Sequence, residues 1–348
     1  MAEAVDWSAR RSPSGSILDT AGFTPMVRLQ RVVDGEAAEI LVKLEFYGPS
    51  GSVKDRILPY MVARAEARGE LRPGMTIIEA TTGNTGIATA MVGAARGYPV
   101  VIVMPEGMSQ ERQRTVVAYG ADLILTPGGE SDVDLVLDKV SELKSANPGK
   151  YWEVSQFGNP DNIEAHYQTT GPEIWEQAES RLDAFIDAQG TGGTLTGVAK
   201  YLREQDPRIQ IFAVEPEECP ILAGGGWGPH RIEGIGDGFI PDNLHLDVLD
   251  GVVEVSSDDA IAMARRLARE EGIFCGISSG CNVVAALKLA ASRPDLKRIV
   301  TLICDNGLRY LSTELCGAAK PLEVPDREHP SSEIDRQKLA EHPLAVVR

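Results

Sequence analysis

The stretch DAFIDAQGTGGTLTG, residues 183–197, joins a short apolar run to a glycine-rich loop and then to a helical pattern. An apolar run of this length, bounded by a turn, is typical of a buried strand. Glycines let the loop backbone approach a ligand closely. A helix that begins near Leu195 directs backbone N–H groups and a partial positive charge toward that ligand. With hydroxyl donors from Thr191 and Thr194, the segment predicts a strand-to-helix turn that binds an anion such as a phosphate group.

The same loop has three alternative interpretations, namely a nucleotide P-loop, a dinucleotide-binding turn and a purely structural turn. A nucleotide P-loop is disfavoured because no lysine follows the last glycine. A dinucleotide-binding turn fits poorly because no acidic ribose partner stands at the right distance. A purely structural turn remains open, since such turns are common at strand-to-helix junctions.

Short β-branched runs alternate with amphipathic stretches along the rest of the chain. The runs predict strands at 40–42, 76–78, 100–103, 123–125, 184–186, 209–214 and 299–303. The other stretches predict helices at 84–95, 110–119, 133–143, 258–271 and 282–290. This alternation is typical of parallel sheets with right-handed crossovers, so the predicted fold class is α/β. A chain of 348 residues also exceeds the usual size of one hydrophobic core, which favours two subdomains.

The composition restricts the class of partner and the compartment. The 34 basic and 51 acidic residues give a net charge of −17, which repels nucleic acid and anionic lipid, so neither is an expected partner. Five cysteines without framework spacing indicate reduced thiols. Without an apolar signal segment or a membrane-length run, the sequence predicts a cytoplasmic protein. The five histidines are scattered, and no metal site is predicted.

Two further glycine-containing turns precede predicted helices. In GPSGSVKDR, residues 48–56, Lys54 stands at a helix start, where the helix dipole disfavours a cation and would lower the lysine pKa. A neutral amine suits Schiff-base chemistry, whereas a solvated surface lysine is the alternative. In EATTGNTG, residues 79–86, hydroxyls, an amide and helix-terminal N–H groups suit a carboxylate or phenolate oxygen, and a simple capping turn is the alternative.

Four motifs in this order, GSVKDR, TTGNTG, GTGGT and GISSG, resemble the cysteine synthase and cystathionine β-synthase group of pyridoxal 5′-phosphate (PLP) enzymes, and most of all its cysteine synthases. The similarity extends from about Ile17 to Thr313. It implies the tryptophan-synthase-β-like fold (fold type II) and a homodimer. The catalytic unit would comprise residues 13–320, with a smaller mobile subdomain at about 47–160 and a larger one formed by 13–46 and 161–320. Residues 321–348 would be a C-terminal tail, wrapped on the surface or disordered.

The resemblance also implies a role for each motif. Lys54 would form the Schiff base with PLP, Asn84 would hydrogen-bond its phenolic oxygen, and Ser278 its pyridine nitrogen. The residues that would hold the phosphate are Gly190, Thr191, Gly192, Gly193 and Thr194. Those that would bind the substrate are Thr81, Thr82, Asn84, Thr85, Gln156 and Gly234. Gly234 opens a loop, GIGDGF, that resembles the family's loop at the mouth of the site. Thr82 stands where the family usually has serine.

The reaction that the resemblance implies is β-replacement on an O-activated serine. In its simplest form O-acetylserine and sulfide give cysteine and acetate through α-aminoacrylate. A neutral serine at the pyridine nitrogen favours this elimination over transamination. One alternative is a cystathionine β-synthase type of condensation with homocysteine, although the haem and regulatory segments of the animal type are absent. Another is a non-catalytic PLP-binding regulatory or scaffold protein.

Two side chains near these motifs have competing interpretations. Arg231 could meet a phosphate leaving group, but a surface arginine is the favoured interpretation, so O-acetylserine is expected to outperform O-phosphoserine. Cys281, near a predicted helix start, is either a thiol of lowered pKa or, as we favour, a buried structural cysteine.

Overall fold

Two sheets with helices packed on them make up the part of the chain that the structure describes. The structure is a computed structural model that describes residues 6–8, 12–33, 35, 38–129, 132–317 and 333–347. Its strands are β1 (Met26–Arg28), β2 (Glu39–Leu44), β3 (Thr76–Ala80), β4 (Val100–Pro105), β5 (Asp122–Thr126), β6 (Tyr151–Glu153), β7 (Ala184–Ala188), β8 (Gln210–Pro216), β9 (Gly251–Val255), β10 (Arg298–Ile303) and β11 (Val346–Val347). Its α-helices are α1 (Ile57–Arg68), α2 (Asn84–Arg96), α3 (Gln110–Ala118), α4 (Val133–Ala146), α5 (Asp161–Gln168), α6 (Thr170–Gln177), α7 (Gly193–Gln205), α8 (Ser257–Arg266), α9 (Ile277–Ser292) and α10 (Glu333–Glu341).

The smaller sheet has four parallel strands in the order β5–β4–β3–β6. Successive residues of a strand point to opposite faces. Ile77 of β3 therefore packs with α1 and α2 in one apolar cluster, whereas Ile78 packs with Val136 and Val140 of α4 in another. With both faces covered, every residue of β3 is buried, and the turn that follows β3 has a rigid base.

The larger sheet has seven strands in the order β1–β2–β10–β7–β8–β9–β11. All pairs are parallel except β1 with β2. Phe185 of β7 belongs to one apolar cluster with Val198 of α7, and Ile186 belongs to another, on the opposite face, with Leu289 of α9. Neighbouring parallel strands end at the same edge, so the turns after β7 and β10 lie side by side.

The predicted α/β class with two parallel sheets is confirmed, and every predicted strand is present. The sequence pattern missed β1, β6, β9 and β11. Three of these are edge strands of two or three residues, too short to show a period. The helix predicted to run to residue 271 ends as α8 at Arg266 and continues as a single π-helical turn, Leu267–Glu271.

The C-terminal segment joins the larger sheet. Of the predicted tail, residues 321–332 and 348 lie outside the described residues. Val346 and Val347 of β11 pair in parallel with Val252 and Val253 of β9. The described end of the predicted tail is thus an edge strand of the larger sheet, and the domain boundary at residue 320 stays a prediction.

The smaller sheet lies within residues 47–160, the range predicted for the smaller subdomain. Whether that range moves as a unit stays a prediction. Among the described residues, no helix combines the length and the apolar character that a membrane crossing needs.

Candidate active site

A pocket opens where strands of both sheets end. Its wall is formed by the turn after β3, the loop after β7, the start of α9 and the residue after β10. Nearly all of the predicted site residues line it, namely Lys54, Thr81, Thr82, Asn84, Thr85, Gln156, Gly190, Thr191, Gly192, Thr194, Gly234 and Ser278. Gly193 is not part of the wall, but it is the buried first residue of α7 between two that are. Segments far apart in sequence are thus brought to one place.

Lys54 reaches the pocket from a 3-10 turn, Val53–Asp55, that precedes α1. Ser52 and Asp55 form a capping box around this turn, and the Val53 N–H donates to the Cys304 carbonyl at 2.8 Å. Burial lowers the pKa of Lys54, while Cys304 and Asp237 act in the opposite direction. The lowered pKa that we expected from a helix dipole therefore has burial as its main cause.

The loop at 190–194, here called the phosphate loop, requires glycine at three positions, and at Gly193 a Cβ would lie 2.1 Å from Oδ1 of the buried Asn162. Gly192 has a φ of +79°, and a Cβ there would lie 2.6 Å from the backbone of Leu244. A Cβ on Gly190 would lie 2.7 Å from the Gly234 carbonyl oxygen. Within the described part of the chain no side chain caps the N-terminus of α7, and Gly192 and Thr194 at this terminus line the pocket, so the positive end of the helix dipole lies at the pocket.

Two buried side chains orient the hydroxyls of the phosphate loop. Asn162 donates to the Thr191 hydroxyl at 3.1 Å, and the Thr194 hydroxyl lies 3.2 Å from Nε2 of His166. Burial holds the pKa of His166 well below its usual value, so the imidazole is neutral. Sequence reasoning missed both residues because they lie on α5, distant in sequence from the loop.

The turn at 81–85, here called the substrate turn, ends β3 and begins α2. The Gly83 N–H donates to the Thr81 hydroxyl at 3.0 Å, and the Thr85 hydroxyl donates to Oε1 of Gln156 at 2.5 Å. Gln156 in turn donates to the carbonyl of Ala80 at 3.1 Å. Hydroxyls and N–H groups in this arrangement are suited to a carboxylate.

The buried side chain of Glu79 holds the backbone segment that carries Gln156. Glu79 accepts the backbone N–H of Ser155 at 2.9 Å and that of Gln156 at 3.3 Å. Burial, with a smaller effect from Glu153, raises the pKa of Glu79 to about 8. The carboxyl group fixes the segment that carries Gln156.

Ser278 lies in the first turn of α9 and lines the pocket. Its hydroxyl hydrogen-bonds the Cys304 thiol. One helical turn later, Asn282 donates to Oδ1 of Asp187 at 2.7 Å. Burial raises the pKa of Asp187 to about 7. Sequence analysis had not assigned Asp187 or Cys304 to the site, although a carboxylate inside the apolar run of β7 was a usable signal.

Asp237, in the loop at 234–239 that we call the mouth loop, also lines the pocket and was not predicted to do so. It is 6% exposed. Burial raises its pKa to about 6, against the opposing charge of Lys54. Among the contacts of the described residues, its carboxylate has a hydrogen bond only from its own backbone N–H.

The two ambiguous side chains of the sequence are resolved. Arg231 is held by Glu314 at 2.8 Å and Asp258 at 2.5 Å and does not line the pocket, in agreement with the favoured interpretation. Cys281 is fully buried, and burial raises its pKa, which makes it a structural cysteine.

The pocket fits a cofactor that carries a phosphate, an aldehyde and a polar aromatic ring. The uncapped helix N-terminus suits the phosphate, and the Lys54 amine suits the aldehyde. Asn84 Oδ1 is buried with no partner, so this side chain has hydrogen-bonding capacity that the described protein residues do not use.

Comparison with known proteins gives the same cofactor class. Residues 17–305 match the family described as "Pyridoxal-phosphate dependent enzyme". A cysteine synthase of Staphylococcus aureus (strain N315) is 49% identical over 306 residues, covering 88% of this chain and 98% of that protein. The crystal structure of a cysteine synthase from Entamoeba histolytica has a TM-score of 0.84 and 42% identity, covering 98% of this chain and 99% of that one. The crystal structure of a hydrogen sulfide-producing enzyme from Fusobacterium nucleatum has a TM-score of 0.82 and 41% identity, covering 86% of this chain and 100% of that one.

Proposed function

Because the chain belongs to the family of pyridoxal-phosphate dependent enzymes, we propose that it is a cysteine synthase, which replaces the acetoxy group of O-acetylserine by sulfide. The observation that carries the proposal is one pocket with three features. It holds the Lys54 amine, the uncapped N-terminus of α7, and the substrate turn with its hydroxyls and amides. Similarity to two cysteine synthases over nearly their whole length supports the choice of reaction.

Lys54 is the acid–base group of the proposed reaction. Bound pyridoxal phosphate supplies the electron-withdrawing system that makes the α-proton acidic and lets the β-substituent leave. Once released by the incoming amino acid, the Lys54 amine accepts the α-proton and later returns it to the same carbon. Burial, which lowers the pKa of Lys54, makes the neutral amine available for this transfer.

The other predicted residues would bind and orient. The phosphate would lie on the N–H groups at residues 190–194, and Ser278 would meet the pyridine nitrogen. The substrate carboxylate would lie on the substrate turn and Gln156, and Asn84 would contact the cofactor ring. Closure of the part at 47–160 over the substrate would exclude water from the pocket.

A second candidate function, condensation with homocysteine, is favoured by one observation. A thiol has a pKa of about 8.5 and must lose its proton to attack carbon. Asp237 is a buried carboxylate in the pocket wall with its pKa raised to about 6, and it has no side-chain partner among the described residues. Such a group can accept that proton, whereas an already ionised sulfide needs no acceptor.

One panel of assays separates these functions. O-acetylserine, O-phosphoserine and serine are each offered sulfide or homocysteine, and cysteine, cystathionine and the leaving group are quantified. We expect the highest kcat/KM for O-acetylserine with sulfide, with one acetate released per cysteine. Higher kcat/KM with homocysteine would make the second candidate correct. Bound cofactor with no turnover of any pair would indicate the non-catalytic binding protein.

The proposal includes a cytoplasmic homodimer. Five free cysteines suit a reducing compartment, and no helix of the described residues could cross a membrane. Light scattering on the eluting protein is expected to give twice the chain mass of 37.4 kDa, and a single chain mass would refute the dimer.

A further inference from the structure

Arg112 is a buried cation that joins the two sheet regions. It lies on α3, beside the smaller sheet, is 2% exposed and contributes to the wall of the pocket. Its Nη1 forms an ion pair with Glu233, and its Nη2 lies 3.9 Å from Oδ2 of Asp305. The guanidinium carbon also lies 4.4 Å from the centroid of the Tyr310 ring. All three partners belong to segments that follow strands of the larger sheet, so Arg112 bridges two parts of the molecule.

The stem of the same side chain touches the substrate turn. A Cβ on Gly83 would lie 2.1 Å from Cδ and 2.4 Å from Nε of Arg112. The backbone of the turn therefore rests directly on the arginine, with no room for even a methyl group between them. In a close-packed interior, the turn cannot shift toward α3 without moving Arg112.

The other end of the ion pair leads to the mouth loop. Glu233, with a side chain 14% exposed, immediately precedes Gly234. Gly234 packs so closely on the phosphate loop that its carbonyl oxygen would meet a Cβ on Gly190 at 2.7 Å. Arg112 thus contacts the substrate turn through Cδ and Nε, and its guanidinium group holds Glu233, the residue before the mouth loop.

We propose that Arg112 is a positioning residue that couples carboxylate binding at the substrate turn to the closed position of the mouth loop, through its ion pair with Glu233. The inference rests on the proposed function for the place where the carboxylate binds. A carboxylate bound at the turn keeps the turn against Arg112, and through the ion pair this keeps Glu233, and with it the mouth loop, in place. The pair therefore increases the affinity for amino-acid ligands and keeps water out during the reaction.

The test uses the holoenzyme with Arg112→Lys, Glu233→Gln and the double variant. Affinity is measured with L-alanine, which has the carboxylate and amino group of the substrate but no β-leaving group, through the absorbance of the bound cofactor. Water exclusion is measured at limiting sulfide as the pyruvate formed per cysteine. O-acetylserine that reacts with one water instead of sulfide gives acetate, pyruvate, ammonium and a proton. Ser312→Ala is the matched control. The Ser312 hydroxyl donates to Glu111, the neighbour of Arg112 on α3, at 2.6 Å, and this hydrogen bond is exposed.

We expect each single variant to bind L-alanine about tenfold more weakly, within the range typical of coupling between two sites. The pyruvate share should rise, and the double variant should bind L-alanine no more weakly than the weaker single variant, since each single change already disrupts the Arg112–Glu233 ion pair. Ser312→Ala should match the wild type. Unchanged L-alanine affinity in folded Arg112→Lys and Glu233→Gln would overturn the proposal and leave a structural ion pair. If Arg112→Lys fails to fold, Glu233→Gln, which alters only the charge of a partly exposed side chain, decides alone. L-alanine binding needs no nucleophile, so this result is independent of whether the protein makes cysteine.

Discussion

The side-chain amide of Asn84 donates a hydrogen bond to Asp305, with 2.7 Å between Nδ2 and Oδ2. The same carboxylate oxygen accepts the Tyr310 hydroxyl at 3.0 Å. Among the described residues Oδ1 of Asn84 has no partner, so the side chain keeps hydrogen-bonding capacity for the contact with the cofactor that we propose. Asp305 therefore orients a residue of the pocket without lining the pocket wall itself.

Removing this acceptor should weaken cofactor binding. For Asp305→Ala we expect the affinity of the apoprotein for PLP to fall about fivefold, because one orienting hydrogen bond is worth about 1 kcal/mol. Asp305→Asn keeps an oxygen acceptor, so its affinity for PLP should fall less than that of Asp305→Ala. Fluorescence titration measures both. Equal affinity in wild type and Asp305→Ala would show that the contact does not position Asn84 for the cofactor.

The phosphate loop should not tolerate a side chain at Gly192. Gly192→Val adds strain at a φ of +79° and a clash with Leu244, and displaces the N–H groups from the phosphate. Each lost charge-assisted hydrogen bond costs roughly 1.5–3 kcal/mol, so PLP affinity should fall at least tenfold. Gly226→Ala, where a Cβ meets nothing within 4 Å, is the control and should titrate like wild type. Unchanged affinity of Gly192→Val would place the phosphate elsewhere.

Acid should destabilise the protein through Glu173. Burial alone would raise the pKa of Glu173, but Arg56 and Lys43 outweigh it and lower the pKa to about 2. A carboxylate with a lowered folded-state pKa stabilises above its unfolded pKa of about 4.3, and this stability is lost as the pH falls toward 2.

Glu173→Gln tests this directly. The variant should lose about 3 kcal/mol of unfolding free energy at pH 7 and depend less on pH between 5 and 2. Glu142→Gln, which removes an exposed ion pair with Lys139, is the control. Denaturant titrations at several pH values supply the free energies. If the free energy of unfolding depends on pH in the same way in wild type and Glu173→Gln, the lowered pKa of Glu173 is not a source of the acid sensitivity.

The leaving group should be acetate and not phosphate. Arg231 is occupied by Glu314 and Asp258, and the pocket wall contains the carboxyl groups of Asp187 and Asp237. A doubly charged phosphate leaving group is disfavoured beside these two carboxyl groups, whereas the cofactor phosphate would lie at the N-terminus of α7. We expect kcat/KM for O-acetylserine to exceed that for O-phosphoserine, and Glu314→Gln to narrow the gap by releasing Arg231. The reverse substrate order in the wild type would contradict this.

The sequence carried much of the fold and the predicted site because their signals are local. Buried parallel strands such as β4 and β10 are continuous apolar runs. Glycines in the turns indicate backbone conformations that other residues rarely adopt. The edge strands β1, β6 and β11 are too short for a period, and β11 pairs with a strand about ninety residues earlier.

The residues that escaped prediction act across long sequence distances. Arg112 is one of three charged residues among the first five of α3, and only the fold shows that it is buried against Glu233, 121 residues away. Asp237 looks like a turn residue in a glycine-rich loop, and its contact with the pocket depends on how that loop folds over β7 and β8. Burial, which also sets the pKa of Lys54, is a property of the packed chain and not of a motif.

The most direct test of the account is to find which lysine carries the cofactor. The holoenzyme is reduced with borohydride, digested, and the labelled peptide identified by mass spectrometry, with Lys54→Ala run in parallel. Lys43 is the internal control, because burial lowers its pKa too, but Glu173 and Gln177 hold its amine. We predict a label on Lys54 alone, and for Lys54→Ala no label, no visible Schiff-base absorbance and no cysteine synthesis. A label on Lys43 or another lysine, or near-normal turnover by Lys54→Ala, would contradict the account.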